Sequence, residues 1–275
     1  MSSKLDNKRI LILFPCSGAK QRFVITESFD DVDEKKVIDF LENTKKYLIT
    51  GREGMARYTD KKSPLMSALD RYSGSLYSVV NFREFVKIAY LTKDVHILIM
   101  SGAYGILLPS ERIHYYKKSI IAKYWKQNKL PEVIEEYIKK NKITRVYGFF
   151  SLTTDYMKIM KSIHWRRLEE CTELELARTY YVDFKGAGGA QVIVPQTTGM
   201  LIVSFIKSNF NQNNFYTNPF NGQYVEFIDH LAMNNLEMMN RCYVSKERMI
   251  NINSEKVMSI QKPIEFGGVK NNRRC

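Results

Sequence analysis

The sequence predicts an α/β domain of three layers, with helices on both faces of a mainly parallel central sheet, followed by a basic C-terminal extension. Three observations carry this reading. Continuous apolar runs recur at residues 8–14, 95–100 and 143–150, and short runs without alternation suit strands buried on both faces. Each run stops at a small or polar turn: Pro15-Cys16-Ser17-Gly18, Ser101-Gly102 and residues 151–155. Segments of helical spacing lie between them, and strands alternating with helices imply parallel crossovers whose strand-end loops carry sites.

Taken in order, residues 30–46 place Val32, Val37, Ile38, Phe40 and Leu41 at near-helical spacing, with Thr50-Gly51 as the stop. Residues 51–62 read as loop. Ser63 and Pro64 offer a cap and a first-turn proline for a helix running toward Tyr72-Ser73-Gly74. Residues 82–91 read as a helix and 121–140 as one amphipathic helix. Residues 180–184 and 191–194 read as strands joined by a hairpin at 185–189, because that glycine cluster lacks the Lys-Ser/Thr of a phosphate loop and the strand-to-helix context of a dinucleotide site. An apolar run resumes at 200–207, an Asn-rich loop covers 209–221, a helix covers 224–243, and 267–275 is a mobile tail. The domain is expected to span 1–207 and the helical or irregular basic extension 208–275.

The composition narrows the partners. With 275 residues, a net charge of +13 and a pI near 9.4, the chain gains by meeting a polyanion that releases counterions. Hydrophobic content of 44% and charged content of 26% exclude a disordered or fibrous chain. No apolar run reaches the ~20 residues of a membrane span, and no secretory pattern opens the sequence, so a cytoplasmic protein without membrane contact is expected. Cys16, Cys171, Cys242 and Cys275 form no C-x-x-C pair and read as reduced thiols. His96, His114, His164 and His230 occupy unrelated contexts, so neither a metal nor another cofactor is expected, and no obligate protein partner is evident. Basic residues sit beside aromatic and polar ones at 112–118, 158–167 and 270–274, an interleaving that suits phosphate contacts with base stacking and equally suits a solvated helix face. Arg71, Arg112, Lys117, Lys118, Arg166 and Arg167 are the candidate nucleic-acid contacts.

The strand-end loops carry the candidate chemistry. In the first, Cys16, Ser17 and Lys20 offer a thiol, a hydroxyl and an ammonium to an anion or a base edge, with Cys16 read as packing rather than nucleophile. The second, residues 100–111, reads Met-Ser-Gly-Ala-Tyr-Gly-Ile-Leu-Leu-Pro-Ser-Glu and is followed by Ile113 and Tyr115-Tyr116-Lys117. Its pattern S-G-x-Y-G-[IV]-L-x-P, then an acid, a Tyr and a base, resembles the signature of the YaaA family of peroxide-stress proteins. Tyr72-Ser-Gly-Ser-Leu-Tyr77 and Asp155-Tyr156 are similar to further elements of that family, and Lys20 falls on its first-loop lysine. The opening Pro15-Cys-Ser-Gly-Ala-Lys20 departs from that family. It is similar instead to the P-C-S-x-x-K stretch in the uracil-DNA-glycosylase-like domain of archaeosine synthases.

Together the resemblances cover roughly residues 8–160 and imply a glycosylase-related α/β/α domain acting on nucleic acid or a nucleobase. The sequence lacks the glycosylase loop pairs G-Q-D-P-Y and H-P-S. The leading expectation on that basis is a DNA N-glycosylase, a hydrolase that flips a damaged or modified base from duplex DNA and leaves an abasic site, an enzyme class that phage defence would fit. Glu111 and Asp155 are the candidate acids that stabilise the sugar cation or orient water. Ser101, Gly102, Tyr77, Tyr104 and Tyr116 would line the base pocket, with the tyrosines available to stack or hydrogen-bond. Lys20 offers a lower-ranked route, amine attack at the sugar carbon. The alternatives are a non-catalytic YaaA-like DNA-binding protein of oxidative-stress protection and an RNA-base-modifying enzyme.

Overall fold

The computed structural model describes residues 8–23, 28–30, 32–211 and 224–232. The chain opens with β1 (Ile10–Pro15), a 3-10 turn at Val37–Phe40, α1 (Lys45–Met55) and a second 3-10 turn at Ala56–Tyr58. The short strands β2 (Thr59–Asp60) and β3 (Met66–Ser67) precede α2 (Ala68–Arg71) and α3 (Phe82–Leu91). Then come β4 (Val95–Ser101), β5 (Gly105–Leu107), β6 (Arg112–Ile113), β7 (Tyr115–Tyr116), α4 (Ala122–Gln127) and α5 (Leu130–Lys140). β8 (Arg145–Phe149), α6 (Asp155–Met160), α7 (Trp165–Cys171), β9 (Leu176–Asp183), α8 (Ala190–Lys207) and β10 (Tyr224–Asp229) complete the described chain.

The central sheet has the order β10-β9-β8-β1-β4-β5. Its four inner strands are parallel, and both edge strands run antiparallel, so the expected mainly parallel sheet is mixed. Register explains the layers. Ile12 pairs with Tyr147 and Leu13 with Gly148, so alternate residues share a face. One face presents Phe14 to Phe82 of α3 and Tyr147 and Phe149 to Phe205 of α8. The other brings His96 against Tyr137 of α5 and Gly148 close to Met160 of α6.

Several elements depart from the sequence reading, each for a tertiary reason. Where a helix is expected over 30–46, the described residues form a 3-10 turn at Val37–Phe40 and, from Lys45, the start of α1. Val37 is drawn into the core, and its N–H donates to Glu111 Oε2 at 3.1 Å. Helix α1 runs through Thr50-Gly51 instead of stopping there, because Gly51 leaves room for the Trp125 ring. Ser63 caps nothing: its Oγ accepts the Tyr115 N–H at 2.8 Å, and Ser67 caps α2 by accepting from Asp70 N. The single helix expected over 121–140 breaks at Lys129, which has φ 56, just ahead of Pro131. The expected strand at 191–194 and the run at 200–207 are parts of α8; an apolar run without clear period fits a buried helix as well as a strand. The glycine stretch 185–189 therefore links a strand to a helix rather than closing a hairpin.

Residues 224–229 are strand β10, hydrogen-bonded to β9, in place of the start of the helix expected over 224–243. The sheet thus draws on chain beyond residue 207. The rest of that expected helix, from 233 onward, and the tail 267–275 lie outside the described residues, as does most of the Asn-rich segment. No helix among the described residues is long and apolar enough to cross a membrane.

Glu136 of α5 pins the chain entering α1. Burial works to raise its carboxyl pKa, but hydrogen bonds from the Thr44 hydroxyl and the N–H groups of Asn43, Glu42 and Thr44 outweigh it and hold the group down to about 2. A folded-state value below the unfolded one gives stability that is present above the unfolded pKa of ~4.3 and is lost as pH falls toward about 2. Glu136→Gln should therefore lower the melting temperature at neutral pH and flatten its fall between pH 4 and 2, as followed by circular dichroism.

Candidate nucleic-acid cleft

Three loops at the carboxyl end of the sheet assemble the site. The loop after β1 is fastened by Cys16 N–H donating to Met100 O at 2.8 Å, and by Lys20 bridging to Tyr72. The loop after β4 brings Gly102 against the backbone of residues 118–120, and its carbonyl accepts the Trp125 Nε1–H at 3.1 Å. The loop after β8 ends in Thr154, whose side chain caps α6.

Between the first and third of these loops and residues 115–121 lies a cleft of about 480 Å³ lined by Cys16, Ser17, Gly18, Lys20, Tyr115, Lys117, Lys118, Ser119, Ile121 and Tyr156. A second depression of about 400 Å³ shares Ile121 and adds Ala122, Lys123, Lys126, Asp155 and Lys158. Among the described residues lining the two, six are lysines and Asp155 is the one carboxylate.

Beneath the cleft runs a chain of buried hydroxyls. Tyr116 OH lies 2.9 Å from both Tyr72 OH and Ser101 Oγ, and Tyr156 OH lies 3.1 Å from Cys16 Sγ. Burial, with the Cys16 thiol adding to it, pushes the Tyr72, Tyr116 and Tyr156 phenols well above the usual range. They remain protonated donors at neutral pH. Lys20 Nζ donates to Ser17 O at 2.6 Å and sits 4.1 Å from the Tyr116 ring centre.

The residues singled out from sequence divide sharply. Cys16, Ser17, Lys20, Lys117 and Lys118 line the cleft. Ser101, Tyr77 and Tyr116 are fully buried, and Tyr77 spends its hydroxyl on Pro15 O at 2.9 Å; they build the floor and cannot stack on a base. Tyr104 is half-buried, its hydroxyl accepting from His114 N at 3.2 Å. Arg71 is fully buried and donates to the carbonyls of Gln21, Pro64 and Ile113, so it braces loops instead of making the expected phosphate contact. Arg112 is exposed beside Asp30 at 3.5 Å. Arg166 and Arg167 are exposed on α7 and line neither depression.

The two candidate acids are both engaged. Glu111 is 2% exposed; its Oε1 pairs with Arg52 Nη1 at 2.8 Å and its Oε2 accepts from Val37 and Leu108 N–H. Asp155 sits in the first turn of α6, where a carboxylate suits the helix dipole. Its Oδ1 holds Lys158 Nζ at 2.7 Å and its Oδ2 the Ala122 N–H at 2.9 Å. The Lys158 hydrogen bond leads the causes that lower its pKa.

The aromatic side chains at the cleft are Tyr115 and Tyr156, neither of which the sequence reading selects. Tyr156 stacks on Phe150 with rings 12° from parallel, and Tyr115 lies under the Arg22 guanidinium at 4.7 Å. Their signal is present in the Tyr115-Tyr116 and Asp155-Tyr156 pairs, but which of these residues line the first cleft depends on the fold.

A family model described as peroxide stress protein YaaA matches residues 19–181, a span that takes in Lys20, the second loop and the third. The chain belongs to the YaaA peroxide stress protein family. The match begins after Pro15-Cys16-Ser17-Gly18, the stretch whose sequence departs from the YaaA pattern, and it does not carry the archaeosine-synthase likeness. A search of curated proteins finds no match to this chain. In this YaaA-family chain the matched segment contains β4 and β8 whole and most of β9, while β1 lies ahead of it.

Proposed function

We propose that this YaaA-family protein binds DNA along the lysine-lined clefts at the carboxyl end of its sheet and acts in protection against peroxide. The observation that carries this is the run of six lysines against one carboxylate over two adjoining depressions. Such a surface attracts a phosphate backbone, and Tyr115 and Tyr156 offer rings to an unpaired base. The finer reading, a glycosylase-like fold that hydrolyses a modified base of phage DNA or works on an RNA base, needs a carboxylate free to face the sugar. Asp155 and Glu111 are both held by cations, which favours binding over hydrolysis.

The test is a titration of duplex DNA at several salt concentrations. Affinity should fall steeply with salt, and Lys117→Glu with Lys118→Glu should weaken binding about 10- to 100-fold and reduce the log–log slope by about 0.9 for each phosphate no longer neutralised. Binding that is indifferent to salt and to both changes would overturn the proposal. Release of a free base from phage DNA, abolished by Asp155→Ala, would favour hydrolysis.

A further inference from the structure

Lys20 differs from Lys117, its neighbour on the cleft. Lys117 is exposed to solvent, as a phosphate-gripping lysine should be. Lys20 lies lower, half-buried, with its Nζ on Ser17 O and 3.5 Å from Gly18 O, between the rings of Tyr116 and Tyr72 at 4.1 and 5.7 Å. Two carbonyl acceptors hold this amine on the cleft, and among the described residues no carboxylate competes for it. Once deprotonated, an amine held in this position can act as a nucleophile toward an electrophilic carbon.

Building on the DNA-binding reading, we propose that Lys20 forms a Schiff base with the ring-opened aldehyde of an abasic sugar in DNA and cuts the strand by β-elimination. The Lys20 nitrogen forms a bond to C1′, and the carbonyl oxygen leaves as water with the two amine protons. The imine takes a proton from solvent. The C2′ proton then passes to water, the C3′–O bond breaks with its electron pair, and the 3′ phosphate departs; hydrolysis of the conjugated imine returns the amine. Tyr156, a protonated phenol on the same cleft wall, is a donor for the departing oxygen. Burial also pushes the Lys20 pKa down, against an opposing influence from Cys16, which makes the free amine available at lower pH than for an ordinary lysine.

The experiment incubates the full chain with a labelled duplex containing one abasic site, reduces with borohydride, and locates the adduct by peptide mass spectrometry. The expected result is a covalent complex on Lys20, reduced to background in Lys20→Arg and Lys20→Ala proteins that melt with the wild type. Trapping should also rise with pH and level off below the pH at which an exposed lysine deprotonates. An adduct on another lysine, or one that persists in Lys20→Arg, overturns the assignment. Salt-sensitive binding of the abasic duplex by the wild type with no adduct overturns the chemistry and leaves the DNA-binding reading standing. Failure to bind either damaged or intact duplex overturns both.

Discussion

Replacing Glu111 with Ala is expected to cost about 3–5 kcal/mol of folding stability, the usual cost of breaking a buried ion pair from one side. The Glu111 side chain is 3% exposed and the Arg52 side chain 17%. Arg52 crosses from α1 to the second loop, giving Nε to Tyr104 O at 3.0 Å, Nη2 to Ile106 O at 2.8 Å and Nη1 to Glu111. Removing the carboxylate leaves that guanidinium facing a hole, and it also strips the Val37 N–H of its acceptor. Glu111→Gln keeps the shape and should cost less, while Arg52→Ala should cost nearly as much as Glu111→Ala. The double mutant should be less destabilised than the sum of the singles, because both remove the same interaction. Urea unfolding of the four variants measures this. A Glu111→Gln protein that unfolds like the wild type yet lacks an activity the wild type shows would return Glu111 to a catalytic role.

This pair shows where sequence reasoning reaches and where it stops. The strands β1, β4 and β8 and the helix α3 are legible because their apolar patterns are local, and the loops that follow the strands place Cys16, Ser17, Lys20, Lys117 and Lys118 at the right end of the sheet. Glu111 reads as a candidate catalytic acid, with Arg112 or Arg71 as its nearby ion-pair partners, because nothing in the chain near it announces Arg52, which lies in a stretch of α1 whose sequence reads as loop beyond Gly51. From their chemistry Arg71 reads as a nucleic-acid contact and Tyr116 as lining a base pocket, and only the packing of residues distant in sequence places them inside. The same reason hides the part played by Tyr115 and Tyr156 in lining the cleft. Residues 30–46 and 190–207 fail differently: a hydrogen bond from Val37 to Glu111 and the packing of α8 on β9 and α3 override local preference, which is weak for short or uniformly apolar segments.

The second large effect follows from Gly102, where fold and cleft meet at one point. A Cβ at Gly102 would lie 2.1 Å from Lys118 O, 2.7 Å from Ser119 C and 2.9 Å from Ile120 N. All three are backbone atoms, so no side-chain rotation relieves the clash and the segment itself must move. That segment carries Lys118 and Ser119 on the cleft wall, and the Trp125 hydrogen bond to Gly102 O anchors α4 at the same point. Gly102→Ala should therefore cost about 1–3 kcal/mol through overpacking and weaken DNA binding in the fraction that remains folded. Gly188→Ala is the control: a Cβ there meets nothing within 4 Å, and the reduced backbone freedom of the unfolded chain should leave it neutral to about 0.4–1 kcal/mol more stable. Thermal melts and salt titrations on both proteins decide the matter. If Gly102→Ala melted lower but bound DNA as tightly as the wild type, the wall formed by residues 118–120 would not be where the phosphates sit.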